Sequence, residues 1–112
     1  MTIRIVKTSG NWTVRAAGSV IGASTQAVEL IEDGSDPVIY FPRSDVAMAF
    51  LEPSDKTTTC PQKGVASYYS IATVNRTLEN AVWSYEAPKE AAKQIEGYLA
   101  FQPGEFLKVE RA

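Results

Sequence analysis

The sequence predicts a mainly β (α+β) fold in which antiparallel strands dominate and one helix lies in the C-terminal half. Apolar and polar residues alternate through most of the first two thirds of the chain, as in strands that bury one face. Short turn sequences join the predicted strands, which favours antiparallel pairing over parallel βαβ units. The chain has 112 residues, the length of one domain, so we expect a single domain over residues 1–112.

Five strands are predicted in the first half of the chain. Gly22 marks a bulge or a close approach of the backbone to another segment. The loop Asp33-Gly34-Ser35-Asp36-Pro37 separates the last two strands with residues typical of turns. The predicted strands cover residues 3–5, 12–17, 20–21, 26–31 and 38–41.

The middle of the chain is less regular. Residues 46–51 are apolar and fit a buried strand or a helical segment equally well, because periodicity does not distinguish the two over so short a run. Pro53 ends this segment, and the polar residues 55–59 are predicted to form a loop. Residues 65–74 are rich in β-branched and aromatic side chains and predict a long strand, with residues 77–85 as its antiparallel partner.

One helix is predicted over residues 88–97. Pro88 suits the first helical position, and Gly97 suits the C-terminal end. Ala91, Ala92 and Ile95 would form its apolar side. Residues 106–109 then predict a final strand at a sheet edge.

Composition excludes several classes of protein. The 11 basic and 13 acidic residues give a net charge of −2 and form no basic stripe, so nucleic acid is not an expected partner. Cys60 is the only cysteine and histidine is absent, which excludes an intrachain disulfide, a Cys/His zinc site and a Ser-His-Asp arrangement. We therefore expect no metal and no cofactor. A single free thiol, with no long apolar run, predicts a cytoplasmic protein without a membrane segment.

Four segments follow one another along most of the chain in a characteristic order and spacing. They are Tyr40-Phe41-Pro42-Arg43 with Asp45-Val46, residues 58–68 around Cys60-Pro61-Gln62-Lys63-Gly64, Asn80-Ala81-Val82-Trp83-Ser84-Tyr85 with Pro88, and Gly97-Tyr98-Leu99-Ala100-Phe101. Together they resemble the bacterial domain of unknown function 427 family over about residues 3–103.

This resemblance implies an architecture and no established activity. The family is similar to the β-tent class, a small, highly curved antiparallel β fold with a helix at its side. Several β-tent proteins hold zinc through four cysteines, which this chain does not have. The family is loosely labelled nucleotidyltransferase-like, but Asp45, Asp55 and Glu79 are scattered along the chain rather than clustered to hold a divalent metal.

The turn from Cys60 to Gly64 is the sharpest candidate for chemistry. Lys63 lies three residues after the thiol, and a nearby ammonium favours the nucleophilic thiolate. Gly64 permits positive φ or a close approach of the backbone to a ligand. The plainer alternative is that Cys60 is a packing residue and Lys63 a solvated turn residue.

Arg43 and Asp45 follow the strand that ends at Pro42. The guanidinium of Arg43 is suited to grip a carboxylate or a phosphate. Alternatively, it pairs with Asp45 or with the segment at Asp55-Lys56. Because Arg43 and Lys63 both lie in the specific segments, we predict that they share one basic pocket.

Aromatic and amide side chains lie on the strand pair 65–74 and 77–85. Alternation places Trp83 and Tyr85 on one face, as it does Tyr69 and Ile71 on the partner strand. Asn80 needs hydrogen-bond partners if it is buried. These residues form either an aromatic core wall or the wall of a ligand cleft.

The preferred functional hypothesis is a polar pocket for a small anionic ligand. Its expected residues are Arg43, Asp45, Cys60, Lys63, Gly64, Tyr68, Asn80 and Trp83. One alternative is an enzyme that uses Cys60 as nucleophile and Lys63 as activator. The other is a protein-interaction module that presents an edge strand such as residues 106–109, and a homodimer formed at a sheet edge is left open.

Overall fold

Ten strands in three antiparallel sheets make up most of the computed structural model, which describes residues 2–112. The mainly β prediction with antiparallel pairing is confirmed. Helical structure among these residues is limited to three short 3₁₀ helices, Arg43–Asp45, Met48–Phe50 and Glu90–Ile95. The strands are β1 (Ile3–Lys7), β2 (Trp12–Ala16), β3 (Ser19–Ser24), β4 (Val28–Glu32), β5 (Val38–Tyr40), β6 (Leu51–Cys60), β7 (Gly64–Ala72), β8 (Thr77–Ser84), β9 (Ala100–Phe101) and β10 (Leu107–Arg111).

The four-stranded sheet β6-β7-β8-β9 contributes side chains to two hydrophobic cores. In the β7–β8 pair, Tyr68 lies opposite Trp83 and Tyr69 lies opposite Val82. Because side chains alternate across a strand, these two pairs point to opposite faces of the sheet. The first core includes Val14, Ile21, Phe41, Ile71, Val82, Leu99 and Phe101, and the second includes Leu30, Tyr40, Ala66, Tyr85, Ile95 and Ala100.

The two other sheets supply the opposite walls of these cores. The sheet β10-β2-β3 packs into the first core, in which Val14 and Ile21 are fully buried. The sheet β1-β4-β5 packs into the second core together with the 3₁₀ helix Glu90–Ile95. A Cβ at Gly22 would lie 3.1 Å from the carbonyl oxygen of Asp45, so the predicted close backbone approach at this glycine is confirmed.

The strand predictions for the long hairpin and for the last edge strand are confirmed. Strands β7 and β8 pair antiparallel from Ser67 opposite Ser84 to Ala72 opposite Thr77. Strand β10 pairs with β2 and lies at the edge of its sheet.

The predicted loop at residues 55–59 is wrong, because these residues belong to β6. The strand runs from Leu51 to Cys60 and pairs with β7 along one side. An irregularity between Pro53 and Thr57 interrupts the register. This allows the strand to accept a proline, which lacks an N–H, at an exposed sheet edge. The apolar residues 46–51 divide between a short 3₁₀ helix, Met48–Phe50, and the start of β6.

The helix predicted over residues 88–97 is present, but it is shorter than predicted and has 3₁₀ geometry. The structure has a 3₁₀ helix from Glu90 to Ile95, broken by a non-helical φ/ψ at Ala92. Hydrogen bonds to residues that adjoin β7 and β8 hold both flanks: the Lys89 N–H donates to the Lys63 carbonyl oxygen at 2.9 Å, and the Gly97 N–H donates to the Tyr85 carbonyl oxygen at 3.0 Å. So few residues between two attachments favour short 3₁₀ turns over a regular α-helix.

Substitution of Ile71, which is fully buried in the first core, tests the packing of the central sheet. We expect Ile71→Ala to lower the free energy of unfolding by about 2–5 kcal/mol, because it removes apolar contacts and leaves a cavity. Urea unfolding followed by circular dichroism measures the change. Val74→Ala is the matched control, since Val74 is fully exposed in the β7–β8 turn, and its effect should stay within about 0.5 kcal/mol. Equal losses in the two variants would contradict the assigned core.

Candidate functional site

A cleft of about 430 Å³ opens on the second-core side of the four-stranded sheet. Its size lies in the range of about 300–1,000 Å³ that is usual for small-molecule sites. We call it the Lys63 cleft. Its lining residues are Leu30, Glu32, Val38, Tyr40, Lys56, Lys63, Tyr68, Asn80, Trp83, Tyr85 and Gln102.

The Lys63–Glu32 ion pair forms one wall of the cleft. The Lys63 ammonium donates a hydrogen bond to Glu32 Oε1 at 2.9 Å, and the two side chains are only 11% and 18% exposed. Desolvation by itself would lower the pKa of Lys63, but the hydrogen bond to Glu32 and the nearby Tyr85, Cys60 and Glu32 groups together outweigh it and raise that pKa. Lys63 is therefore a buried, fully charged residue and not the solvated turn residue of the plainer prediction.

Aromatic side chains form the opposite wall. The ring centroids of Tyr68 and Trp83 are 6.4 Å apart, and the rings are inclined at 40°. The Trp83 indole N–H donates to the Tyr40 hydroxyl at 3.1 Å. Burial raises the pKa of Tyr40 well above its usual value, so this phenol stays neutral. The Lys56 ammonium lies 4.7 Å from the centre of the Tyr68 ring, within cation–π distance.

Asn80 enters the cleft because β8 is irregular at this position. Its φ of 53° lies in the left-handed region, and the β7–β8 register shifts between Tyr69 and Ile71. Asparagine tolerates this conformation better than most residues do. The Asn80 N–H donates to the Ser70 hydroxyl at 3.1 Å, and the Ser54 hydroxyl bonds to Asn80 Oδ1. Asn80 is thus partnered as predicted for a partly buried amide.

Cys60 lies beside the cleft and is not part of its lining. It is partly buried and packs against the second core, as the packing alternative predicts. Partial burial by itself would raise the pKa of the thiol. The backbone N–H groups of Gln62 and Lys63, together with the Lys63 ammonium, outweigh this effect and lower the pKa of Cys60. The turn thus favours the thiolate form of Cys60 next to a buried cation.

Arg43 is absent from the lining of the Lys63 cleft, so the predicted pocket shared by Arg43 and Lys63 is wrong. The guanidinium binds Glu86 at 2.8 Å and donates to the Gly97 carbonyl oxygen at 3.1 Å. Weaker bonds reach the Tyr69 and Ser84 side chains at 3.4 Å. Tyr69 points to the face opposite Tyr68, because the two are neighbours along β7. Strand alternation therefore separates the two cations.

The other predicted site residues, Asp45 and Gly64, also lie outside the cleft lining. The Ser24 hydroxyl donates to Asp45 Oδ2 at 2.6 Å, so Asp45 does not pair with Arg43. Gly64 has a φ of +109°, and a Cβ built there would lie 3.5 Å from the Lys89 backbone nitrogen. Gly64 serves the turn between β6 and β7. Of the eight predicted residues, the structure brings Lys63, Tyr68, Asn80 and Trp83 together in the cleft, with Cys60 adjacent.

Sequence reasoning missed Glu32 and Lys56 as residues of the site. Lys56 was assigned to a loop, although it belongs to β6 and reaches over a ring on the neighbouring strand β7. Glu32 is one of two glutamates on β4, Val28–Glu32, so no local sign distinguishes it from Glu29. The partner of Glu32, Lys63, is 31 residues away, so no local pattern links the two.

The described residues 2–112 hold no group of three or more metal-ligating side chains placed to bind an ion. Over the same residues, no helix combines the length and the apolar character required to cross a membrane.

Comparison with protein families finds a match over nearly the whole chain. A family model described as "Domain of unknown function (DUF427)" matches residues 4–111. No protein of curated function matches the chain.

Replacement of Lys63 tests the ion pair at the cleft wall. Lys63→Met should lower the free energy of unfolding by about 1–3 kcal/mol, because it leaves the Glu32 carboxylate largely buried without its partner. Adding Glu32→Gln to this variant should restore part of the loss in denaturant unfolding. The control is Lys93→Met, whose pair with Glu96 is 61% and 48% exposed and should contribute little to stability. Equal costs for Lys63→Met and Lys93→Met would refute a special role of the buried pair.

Alkylation of Cys60 tests its environment. Its reaction rate with iodoacetamide should rise with pH around a midpoint below the usual thiol value of about 8.5, because amide groups and Lys63 stabilise the thiolate. Lys63→Met should move the midpoint upward, and Lys7→Met, at an exposed position of strand β1, should leave it unchanged. Cys60 is the only cysteine, so mass spectrometry of the intact chain reports this site alone. A midpoint at or above the usual value would contradict the stabilised thiolate.

Proposed function

The chain belongs to the domain of unknown function 427 (DUF427) family, and from the residues that line its Lys63 cleft we propose that this cleft binds a small anionic ligand. The observation that carries the proposal is the charge of the cleft. Two ammonium groups, Lys56 and Lys63, and one carboxylate, Glu32, line it within the described residues. The lining is therefore positive in a protein whose net charge is −2.

Lys56 is the cation that would contact the ligand directly. Among residues 2–112 it takes part in none of the ion pairs, which join Arg43, Lys63 and Lys93 to glutamates. Its ammonium is held over the Tyr68 ring at the mouth of the cleft. A carboxylate or phosphate at this position would gain a charge-assisted hydrogen bond. Lys63 would add to the local potential while its bond to Glu32 keeps it in place.

The remaining lining residues suggest the shape of the ligand. Tyr68 and Trp83 offer aromatic surface, on which a flat or apolar body would pack. The Asn80 Oδ1 atom is engaged by Ser54, which leaves the Asn80 amide protons as donors. Gln102 adds a second amide, which is exposed. Together these groups favour a ligand that joins an anionic group to a ring bearing hydrogen-bond acceptors.

A reaction at Cys60 is the second candidate function. The lowered pKa of this thiol favours it, since a thiolate is the nucleophilic form. Cys60 adjoins Lys63 and is separated from the cleft lining, so a substrate would have to approach the thiol from the β6–β7 turn. The charge of the cleft therefore supports binding more directly than it supports this chemistry.

Thermal stability in the presence of small anions tests the proposed binding. We expect phenyl phosphate and phosphate-bearing metabolites to raise the melting temperature, because a ligand of the folded state at about 100 times its Kd adds about 2.7 kcal/mol. Benzamide, which has a ring and no charge, should give a smaller shift. Lys56→Met should remove most of the difference between phenyl phosphate and benzamide.

The control for this experiment is Lys7→Met, which makes the same change of charge on β1, outside the cleft. Its response to each compound should equal that of the unmodified chain. Quenching of Trp83 fluorescence in a Trp12→Phe background gives a second readout at the cleft itself. The absence of any anion-dependent shift or quenching would overturn the proposal.

A further inference from the structure

A second groove, which shares no lining residue with the Lys63 cleft, lies where β2 and β10 meet the turn between β7 and β8. Its volume is about 580 Å³. We call it the Arg15 groove. It is lined by Arg15, Ala17, Gly18, Asn75, Arg76, Glu105, Phe106 and Lys108.

Three cations converge on this groove with little compensation. Lys108 on β10 lies directly opposite Arg15 on β2, and like charges at directly opposite positions of an antiparallel pair destabilise it. Arg76 approaches from the β7–β8 turn. None of the three takes part in an ion pair within 4.0 Å among residues 2–112. The folded chain therefore maintains a repulsive arrangement at this position.

Neither of the nearby carboxylates relieves the repulsion. Glu105 lies in the groove lining, and Glu110 lies two residues beyond Lys108, opposite Thr13. Both are exposed, and neither forms an ion pair within 4.0 Å with a described cation. An anion bound from outside the chain would offset the electrostatic repulsion among the three cations, which Glu105 and Glu110 do not neutralise.

Apolar side chains lie among the cations. Phe106 is 39% exposed, and the Arg76 guanidinium carbon lies 3.5 Å from the centre of its ring. Val20, which lies opposite Arg15 on β3, is 46% exposed. Val74, at the neighbouring turn, is fully exposed. Exposed apolar residues next to charged residues are typical of protein-interaction surfaces.

We propose that the Arg15 groove docks an acidic segment of a partner protein, with carboxylates against Arg15 and Lys108 and an apolar side chain near Phe106. Every lining residue except Ala17 is exposed, which suits a surface contact better than a small-molecule site that encloses its ligand. Arg76 covers the Phe106 ring that a nucleic-acid base would otherwise stack on. The groove is independent of the anionic ligand proposed for the Lys63 cleft.

A fluorescein-labelled peptide of alternating Glu and Leu residues tests the docking by fluorescence anisotropy. The full chain should bind it in a salt-dependent manner, and a Gln-for-Glu version of the peptide should bind more weakly. Lys108→Glu should weaken binding about tenfold or more, because it replaces an attractive charge with a repulsive one. The same substitution places a carboxylate opposite Arg15, so it should also raise the melting temperature of the unbound chain.

If Lys108→Glu binds the peptide more weakly while its melting temperature does not fall, the variant is still folded and the weaker binding reports a lost contact. The matched control is Arg4→Glu, the same reversal of charge at an exposed position of β1, which should leave peptide binding unchanged. Three results would overturn the proposal: equal binding by Lys108→Glu and the unmodified chain, no binding at low salt, or tighter binding of single-stranded DNA than of the peptide. Self-association of the chain that Lys108→Glu abolishes would assign the groove to a second copy and overturn the choice of a foreign partner.

Discussion

Alternation of side chains across a central sheet that is apolar on both faces is the constraint on which the rest of the structure depends. Strands β7 and β8 contribute side chains to both cores, so the side chains of successive residues point to opposite faces of the sheet. Tyr68 joins the second core and Tyr69 the first. Ala100 and Phe101 on β9 divide in the same way. A slip of one residue in this register would exchange the contents of both cores, so the pairing is strongly specified.

The same alternation separates the two main ion pairs of the protein. Lys63 and Glu32 lie beside the second core, where little of either side chain reaches solvent. Arg43 and Glu86 are 36% and 45% exposed and share their contacts with Tyr69. An exposed pair contributes little to stability, whereas a largely buried pair leaves a costly unpaired charge when one partner is removed. Because the Lys63–Glu32 pair is the less exposed of the two, Lys63 contributes to stability, and its ammonium also adds to the positive potential of the cleft.

Irregularities in the strands create the polar part of the cleft. A regular β8 would continue the apolar alternation, but the left-handed conformation at Asn80 turns an amide into the lining. The register shift in β6 between Pro53 and Thr57 accompanies the placement of Lys56 over Tyr68. Bulges commonly re-aim side chains next to functional sites. Here two of them lie on β6 and β8, the strands that flank β7, and the cleft lining includes Lys56 and Asn80 from these strands and Tyr68 from β7.

The sequence by itself determined most of the strands, the antiparallel pairing and the neighbourhood of Cys60 and Lys63, because alternation and turn chemistry act over a few residues. It also showed that Asn80 needs hydrogen-bond partners. Only the tertiary structure decided that residues 55–59 belong to strand β6, that the predicted helix is a short 3₁₀ helix from Glu90 to Ile95, and that Glu32 rather than Arg43 accompanies Lys63. Those outcomes depend on contacts between residues far apart in the chain. A local sequence pattern does not show which face of a sheet with two buried faces a distant residue will pack against.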